Sequence, residues 1–247
     1  MNAVEVCGLT KLFSDEARGV IRAVDGIDFA CRSGEIFGLL GANGAGKTTT
    51  LRMLATILRP TAGSATVMGH DLLSEAAAVR RCLGFYSAST ALYPRLTARE
   101  TLAFFARING FDPRHVGARV EELIDRFGLH DYADARVEKL SQGMKQKVSI
   151  ARTVAHAPPV LIFDEPTVGL DVLNTLEMQK VIASFRAEGK AIIFSTHIMS
   201  EAERLCDRIA VIHGGRILAC DTLAGLRRTT GKHYLEDIFV ALVEPSA

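Results

Sequence analysis

The sequence predicts an α/β fold built on a buried parallel sheet into which a helical segment is inserted. Three observations predict it. Short apolar runs of strand length, Ile36 to Leu40, Val160 to Phe163 and Ala191 to Phe194, are each followed by a segment of helical period, the pattern of strands covered on both faces. The first run passes through a glycine-rich turn into Leu51, Leu54, Ala55 and Leu58 at i, i+3, i+4 and i+7, with Pro60 placed to stop that helix. Between residues 97 and 157 the strand signals give way to helical ones.

In that insertion Thr97, Ala98, Arg99 and Glu100 form a capping box ahead of Leu102, Phe105 and Ala106, and Asn109 and Gly110 close the helix. Further on, Asp207 to Ile212 and Arg216 to Ala219 flank His213, Gly214 and Gly215, which predicts a hairpin. Leu235, Ile238, Phe239 and Leu242 then fall at helical spacing, a short amphipathic helix expected to pack on the core.

With 247 residues, 48% of them hydrophobic, the chain is long enough for one domain with an insertion and is not a disordered chain. Its 29 Lys and Arg balance 28 Asp and Glu, leaving a net charge of +1 and no field to draw in a nucleic acid, so no nucleic-acid partner is expected. Five scattered cysteines form no CxxC pair, which argues against a disulfide framework or a zinc site and for a reducing, cytoplasmic setting. The opening segment Met1 to Cys7 carries no basic stretch followed by an apolar run, so no leader is expected. No stretch approaches the roughly 18 apolar residues of a membrane span.

Gly41, Ala42, Asn43, Gly44, Ala45, Gly46, Lys47 and Thr48 satisfy G-x-x-x-x-G-K-[ST] directly between a predicted strand and a predicted helix. Glycines let successive backbone N–H groups converge on a triphosphate, and the helix N-terminus adds a favourable dipole. Lys47 would neutralise the β and γ phosphates of ATP, Thr48 would place its hydroxyl on Mg²⁺, and Thr49 follows at the helix start. The run Val160 to Phe163 ends in Asp164 and Glu165, beyond the carboxyl end of a parallel strand where ligands sit. Asp164 would hold Mg²⁺, and Glu165, on the other side of an extended chain, would meet the attacking water.

Leu140 to Gln146 precedes a helix running to about Ala157, with Pro158 and Pro159 beyond and Ser141 at the N-cap. That helix start is a second anion site, to which Lys145 and Lys147 add positive charge, so one chain carries two half-sites. Here the sequence resembles the ATP-binding cassette (ABC) family, whose LSGGQ signature followed by Walker B is similar to Leu140 to Asp171; Gly84 to Phe111 and the tail Tyr234 to Val243 resemble those of its sodium-extrusion and drug-export ATPases. The resemblance implies a RecA-like P-loop NTPase core with an antiparallel β portion over 1–88 and 158–222, a helical subdomain over about 89–157, and a tail helix over about 223–247.

It further implies that Ser141, Gln142 and Gly143 contact nucleotide, that Gly169, Leu170 and Asp171 form a loop crossing a dimer interface, and that His197 touches the γ phosphate. Phe13 matches the aromatic that stacks on adenine, with a place in the core as its other reading. The implied assembly is a head-to-tail dimer of ABC ATPase chains on a polytopic transmembrane permease, peripheral on the cytoplasmic face of the membrane. Tyr86 to Leu96 would face that permease. Two departures stand out: Gln142 and Met144 replace a Gly and the Gln of the signature, and Ala88 stands where the family places a metal-reaching Gln. Ser87, Ser89 or a water would then substitute. A translation or repair ATPase, or a slow nucleotide-dependent regulatory module, is the alternative.

Overall fold

The computed structural model of the chain describes residues 1–15 and 19–244; residues 16–18 of the predicted first β block and 245–247 of the predicted tail lie outside the described residues. The chain opens with β1 (Asn2–Asp15) and β2 (Gly19–Arg32), a long antiparallel ribbon, and enters the core through β3 (Ile36–Leu40). There follow α1 (Lys47–Leu54), β4 (Ala62–Val67), β5 (His70–Asp71), α2 (Ala76–Cys82) and β6 (Leu83–Ser87). The helical insertion holds α3 (Ala98–Ile108), α4 (Val116–Phe127) and α5 (Gln142–Thr153). The chain then returns through β7 (Val160–Asp164), α6 (Val172–Ala187), β8 (Ala191–Thr196), α7 (Met199–Leu205), β9 (Arg208–His213), β10 (Arg216–Asp221), α8 (Leu223–Thr230) and α9 (Leu235–Val243).

Two sheets result. Strands β2, β1, β4 and β5 form an antiparallel sheet in that order, and the second sheet runs β10-β9-β3-β8-β7-β6. In the latter every neighbouring pair is parallel except β10 on β9, the predicted hairpin. All residues of β3, β7 and β8 are buried, and successive side chains alternate between two cores as the pleat requires. Leu161, Phe163, Ile192 and Phe194 face the helical insertion and α6, whereas Val160, Ile162, Ala191 and Ile193 face the antiparallel sheet and α1. A third cluster packs Leu235 and Ile238 of α9 with Leu40, Ile209 and Val211, so the tail helix buries its apolar face on the chain itself.

Local signals set several boundaries. Thr97 Oγ1 accepts from Glu100 N at 3.0 Å while a Glu100 carboxylate oxygen accepts from Thr97 N at 2.8 Å, closing the capping box of α3. Thr97→Ala is expected to cost about 1 kcal/mol and lower the thermal midpoint by about 2–4 °C with ATP affinity unchanged, measured by thermal unfolding and titration. Ser141 Oγ accepts from Met144 N and caps α5.

Two helices end earlier than the sequence predicts. Helix α1 stops at Leu54 and not at Pro60, because Thr56 turns left-handed (φ 57°) and the N–H groups of Thr56 and Ile57 return to Met53 O and Arg52 O; Leu58 is off the helix. Helix α5 stops at Thr153, and turns carry the chain to Ala157, itself left-handed at φ 55°.

Candidate functional site

The glycine-rich turn leaves the C-terminal end of β3 and wraps the start of α1. Gly46, at φ 108°, forms its last corner, where an added Cβ would lie 2.6 Å from Ala23 O; a side chain there is excluded by both backbone and space. The turn lines a cavity of about 130 Å³ with Ala23, Asn43, Gly44, Ala45, Gly46, Lys47, Thr48, Thr49 and Glu165. Gly41 is pressed against Ile212 at the exit of β3, and neither it nor Ala42 lines the cavity; their carbonyls accept from Lys47 Nζ at 2.6 and 3.1 Å. Lys47 is 4% exposed, and its ammonium also stands 3.2 Å from Glu165 Oε1.

Asp164 ends β7, one strand removed from β3. Its Oδ1 accepts from Thr48 Oγ1 at 3.1 Å and from Ser195 Oγ at 2.7 Å, and Ser87 Oγ approaches Oδ2 at 3.4 Å. Strand order explains the convergence: Asp164 pairs with Ser195 on β8 on one side and with Ser87 on β6 on the other. The surrounding donors are carboxylate and hydroxyl oxygens, which fit a hard cation such as Mg²⁺. Among the described residues no cluster of three or more His, Cys, Asp or Glu could cage a metal. Mg²⁺ takes one or two protein oxygens and completes its shell with phosphate and water.

Glu165 departs from the sequence expectation. It is not in an extended chain: its φ is 49°, a strained turn held by N–H bonds to Ser195 Oγ at 3.1 Å and Ser195 O at 3.2 Å. The turn, and not strand alternation, brings its carboxylate to Lys47. His197, just past β8, has Nδ1 3.2 Å from Glu165 Oε1 but without hydrogen-bond alignment. Ser195 is the residue that pattern reading passed over. Its only signal is its place at the end of an apolar run, and its partners follow from sheet register alone.

The remaining predicted residues lie apart from this cavity. None of Ser141, Gln142, Gly143 or Asp171 lines it. Asp171 caps α6, accepting from Asn174 N at 2.9 Å, and that bond holds its carboxyl below the usual range. Lys147, expected to add charge to the second anion site, pairs with Glu177 of α6 at 2.9 Å. Phe13, on β1 opposite Ile21, is 39% exposed and so is not a core side chain; Lys11 lies over its ring. A larger cavity of about 450 Å³ lies elsewhere, between the segment after β6 and α5, with Gln142, Lys145 and Gln146 on its wall.

A glycine-rich turn from a buried parallel strand into a helix, its lysine on the loop carbonyls and its threonine on a strand-end aspartate, defines the class: a P-loop nucleoside triphosphatase. A family model described as ABC transporter matches residues 24–168. The chain is 40% identical over 233 residues to the ABC transporter ATP-binding protein NatA of Bacillus subtilis (strain 168), covering 94% of each chain. It is 38% identical to the daunorubicin/doxorubicin resistance ATP-binding protein DrrA of Streptomyces peucetius, over 94% of this chain and 69% of that one. A solved ATP binding subunit of an ABC transporter superposes with a TM-score of 0.88 at 31% identity, over 98% of this chain and 100% of that one. The chain belongs to the ABC transporter family. It is an ATP-binding and ATP-hydrolysing subunit of that family, not the translation or repair ATPase of the alternative reading.

Proposed function

We propose that the chain drives export of a solute, a sodium ion or a drug-like compound, through a separate polytopic permease on the cytoplasmic face of the cell membrane. One observation carries the reading. Tyr93 (53% exposed), Phe104 and Ile108 form an exposed apolar patch, with Tyr93 stacked edge-on to Phe104 at 5.8 Å. The patch adjoins a groove of about 400 Å³ lined by Ile57, Tyr93, Phe105, Arg152 and His156, directly after the strand that ends at Ser87. An apolar patch of this kind marks a protein partner. Only part of the predicted partner-facing stretch belongs to it: Tyr86 is buried against Phe163 because it points inward from β6, and Leu92 packs on the helical core. Among the described residues no helix is long and apolar enough to cross a membrane, so the pathway for the solute is assigned to the permease.

In this reading Gly41 to Thr49 hold the triphosphate of ATP, and Thr48 and Asp164 hold Mg²⁺, which would screen the phosphate charge. Glu165 takes a proton from the attacking water, and His197 meets the γ phosphate. Phe13 receives the adenine. Ser141, Gln142, Gly143 and Asp171 serve the nucleotide of a second chain of the same sequence in a head-to-tail dimer. Val172 and Leu173, 75% and 79% exposed beside Asp171, supply apolar surface for that interface. ATP contacted from both sides favours closure, and loss of the γ phosphate releases it.

The test is mild-detergent affinity purification of the tagged chain from its native membranes, with mass-spectrometric identification of what accompanies it. A polytopic membrane protein is expected, and Tyr93→Glu with Ile108→Glu is expected to lose it while keeping ATP affinity. Recovery of soluble partners alone would overturn the transporter reading.

A further inference from the structure

Asp164 meets hydroxyls from three elements, yet they are not equivalent. Thr48 and Ser195 both reach Oδ1, and Ser87 alone reaches Oδ2. Ser87 is 4% exposed, and apart from Asp164 its hydroxyl contacts Ser89 Oγ at 3.1 Å. Ser89 Oγ in turn accepts from Arg52 on α1 at 3.3 Å. Because a guanidinium only donates and an ionised carboxylate only accepts, the direction of the chain is settled: Arg52 donates to Ser89, Ser89 to Ser87, and Ser87 to Asp164. Ala88, between the two serines, is exposed and offers no polar atom.

We propose that Ser87 is a positioning residue of the nucleotide site: its hydroxyl, oriented through Ser89 by Arg52, orients the carboxylate of Asp164, which would hold the divalent cation, in place of a polar side chain at position 88. The proposal rests on the reading that Asp164 holds that cation. With a hydroxyl on each carboxylate oxygen, rotation of the group about its last bond is restrained, and a ligand oriented by such an outer partner binds its metal more tightly. Ser89 lies in the segment that leads from β6 to the exposed Tyr93 patch, and Arg52 ties that segment to α1.

The experiment measures Mn²⁺ affinity by electron paramagnetic resonance in the complex with a non-hydrolysable ATP analogue, and nucleotide affinity without metal. Ser87→Ala is expected to weaken Mn²⁺ about tenfold or more, with metal-free nucleotide affinity within about twofold of the parent, and Ser87→Thr to restore it. Ser89→Ala, an exposed change that leaves packing alone, is expected to weaken Mn²⁺ about threefold. Ala88→Gln is expected to change nothing. Parental Mn²⁺ affinity in Ser87→Ala or in Ser89→Ala, an equal loss of metal-free nucleotide binding in Ser87→Ala, or tighter Mn²⁺ binding in Ala88→Gln would each overturn the proposal. Asp164→Asn separates the two readings: if it loses Mn²⁺ while Ser87→Ala does not, Ser87 alone is wrong, and if Asp164→Asn keeps parental affinity, the placing of the cation itself is wrong.

Discussion

ATP affinity in the Lys47→Ala variant is expected to fall by on the order of a hundredfold or more, measured by isothermal titration with and without Mg²⁺. Among the described residues that line the phosphate cavity Lys47 supplies the one cationic side chain, and it is held in place by the carbonyls of Gly41 and Ala42. Removing it has two effects of the same sign. The phosphates lose a charge-assisted donor in a partly desolvated site, and Glu165, 3.2 Å from that ammonium, is left as an unpaired negative charge facing them. Losing one partner of such a pair costs about 3 kcal/mol, which converts to the stated loss. Lys47 is buried, so the carbonyls of Gly41 and Ala42 lose their donor as well, and the thermal midpoint without nucleotide is expected to fall. Unchanged ATP affinity would refute the assignment of the cavity.

Glu165→Gln is expected to hold ATP within about threefold of the parent affinity while slowing phosphate release about a hundredfold or more. The amide keeps the size of the carboxylate and still offers an oxygen to Lys47, and the strained turn at position 165 is anchored by the backbone of the residue, which the substitution leaves in place. What it loses is the ability to take a proton from water. Binding and chemistry should therefore separate, with kcat falling at nearly constant affinity. Full turnover in this variant would remove Glu165 from the proposed role, and the same variant serves as the blank in any phosphate-release assay of the purified chain.

Much of the site is readable in the chain because its signals are local. The phosphate loop, the capping box at Thr97 and Glu100, and the Ser141 cap each span three to eight residues, and their hydrogen bonds close within that span. The buried strands β3, β7 and β8 stand out for a related reason: both faces are covered, so each is an apolar run up to the polar residues that end β7 and β8. The ribbon of β1 and β2 does not, since register shifts at Val6, Leu9 and Lys11 break the alternation that would announce it. Helix α6 opens on the exposed Val172 and Leu173, which interrupts the apolar stripe expected of a packed helix.

Glycines at the loop corners, a lysine and threonine at the helix start, and a carboxylate pair after an apolar strand are properties of neighbouring residues, and they define a nucleotide site before any folding is considered. The meeting of Thr48, Ser87 and Ser195 at Asp164 is of another kind. It depends on the strand order β3-β8-β7-β6 and on the register that sets Ser87 and Ser195 opposite Asp164. These residues are far apart in the chain, and the choice of strand neighbour is made by packing on both faces of the sheet and not by any local propensity. The same holds for Glu165, whose left-handed turn is held by Ser195 from a different strand. Local chemistry named the loop and the carboxylates; pairing between distant strands decided which hydroxyls orient them.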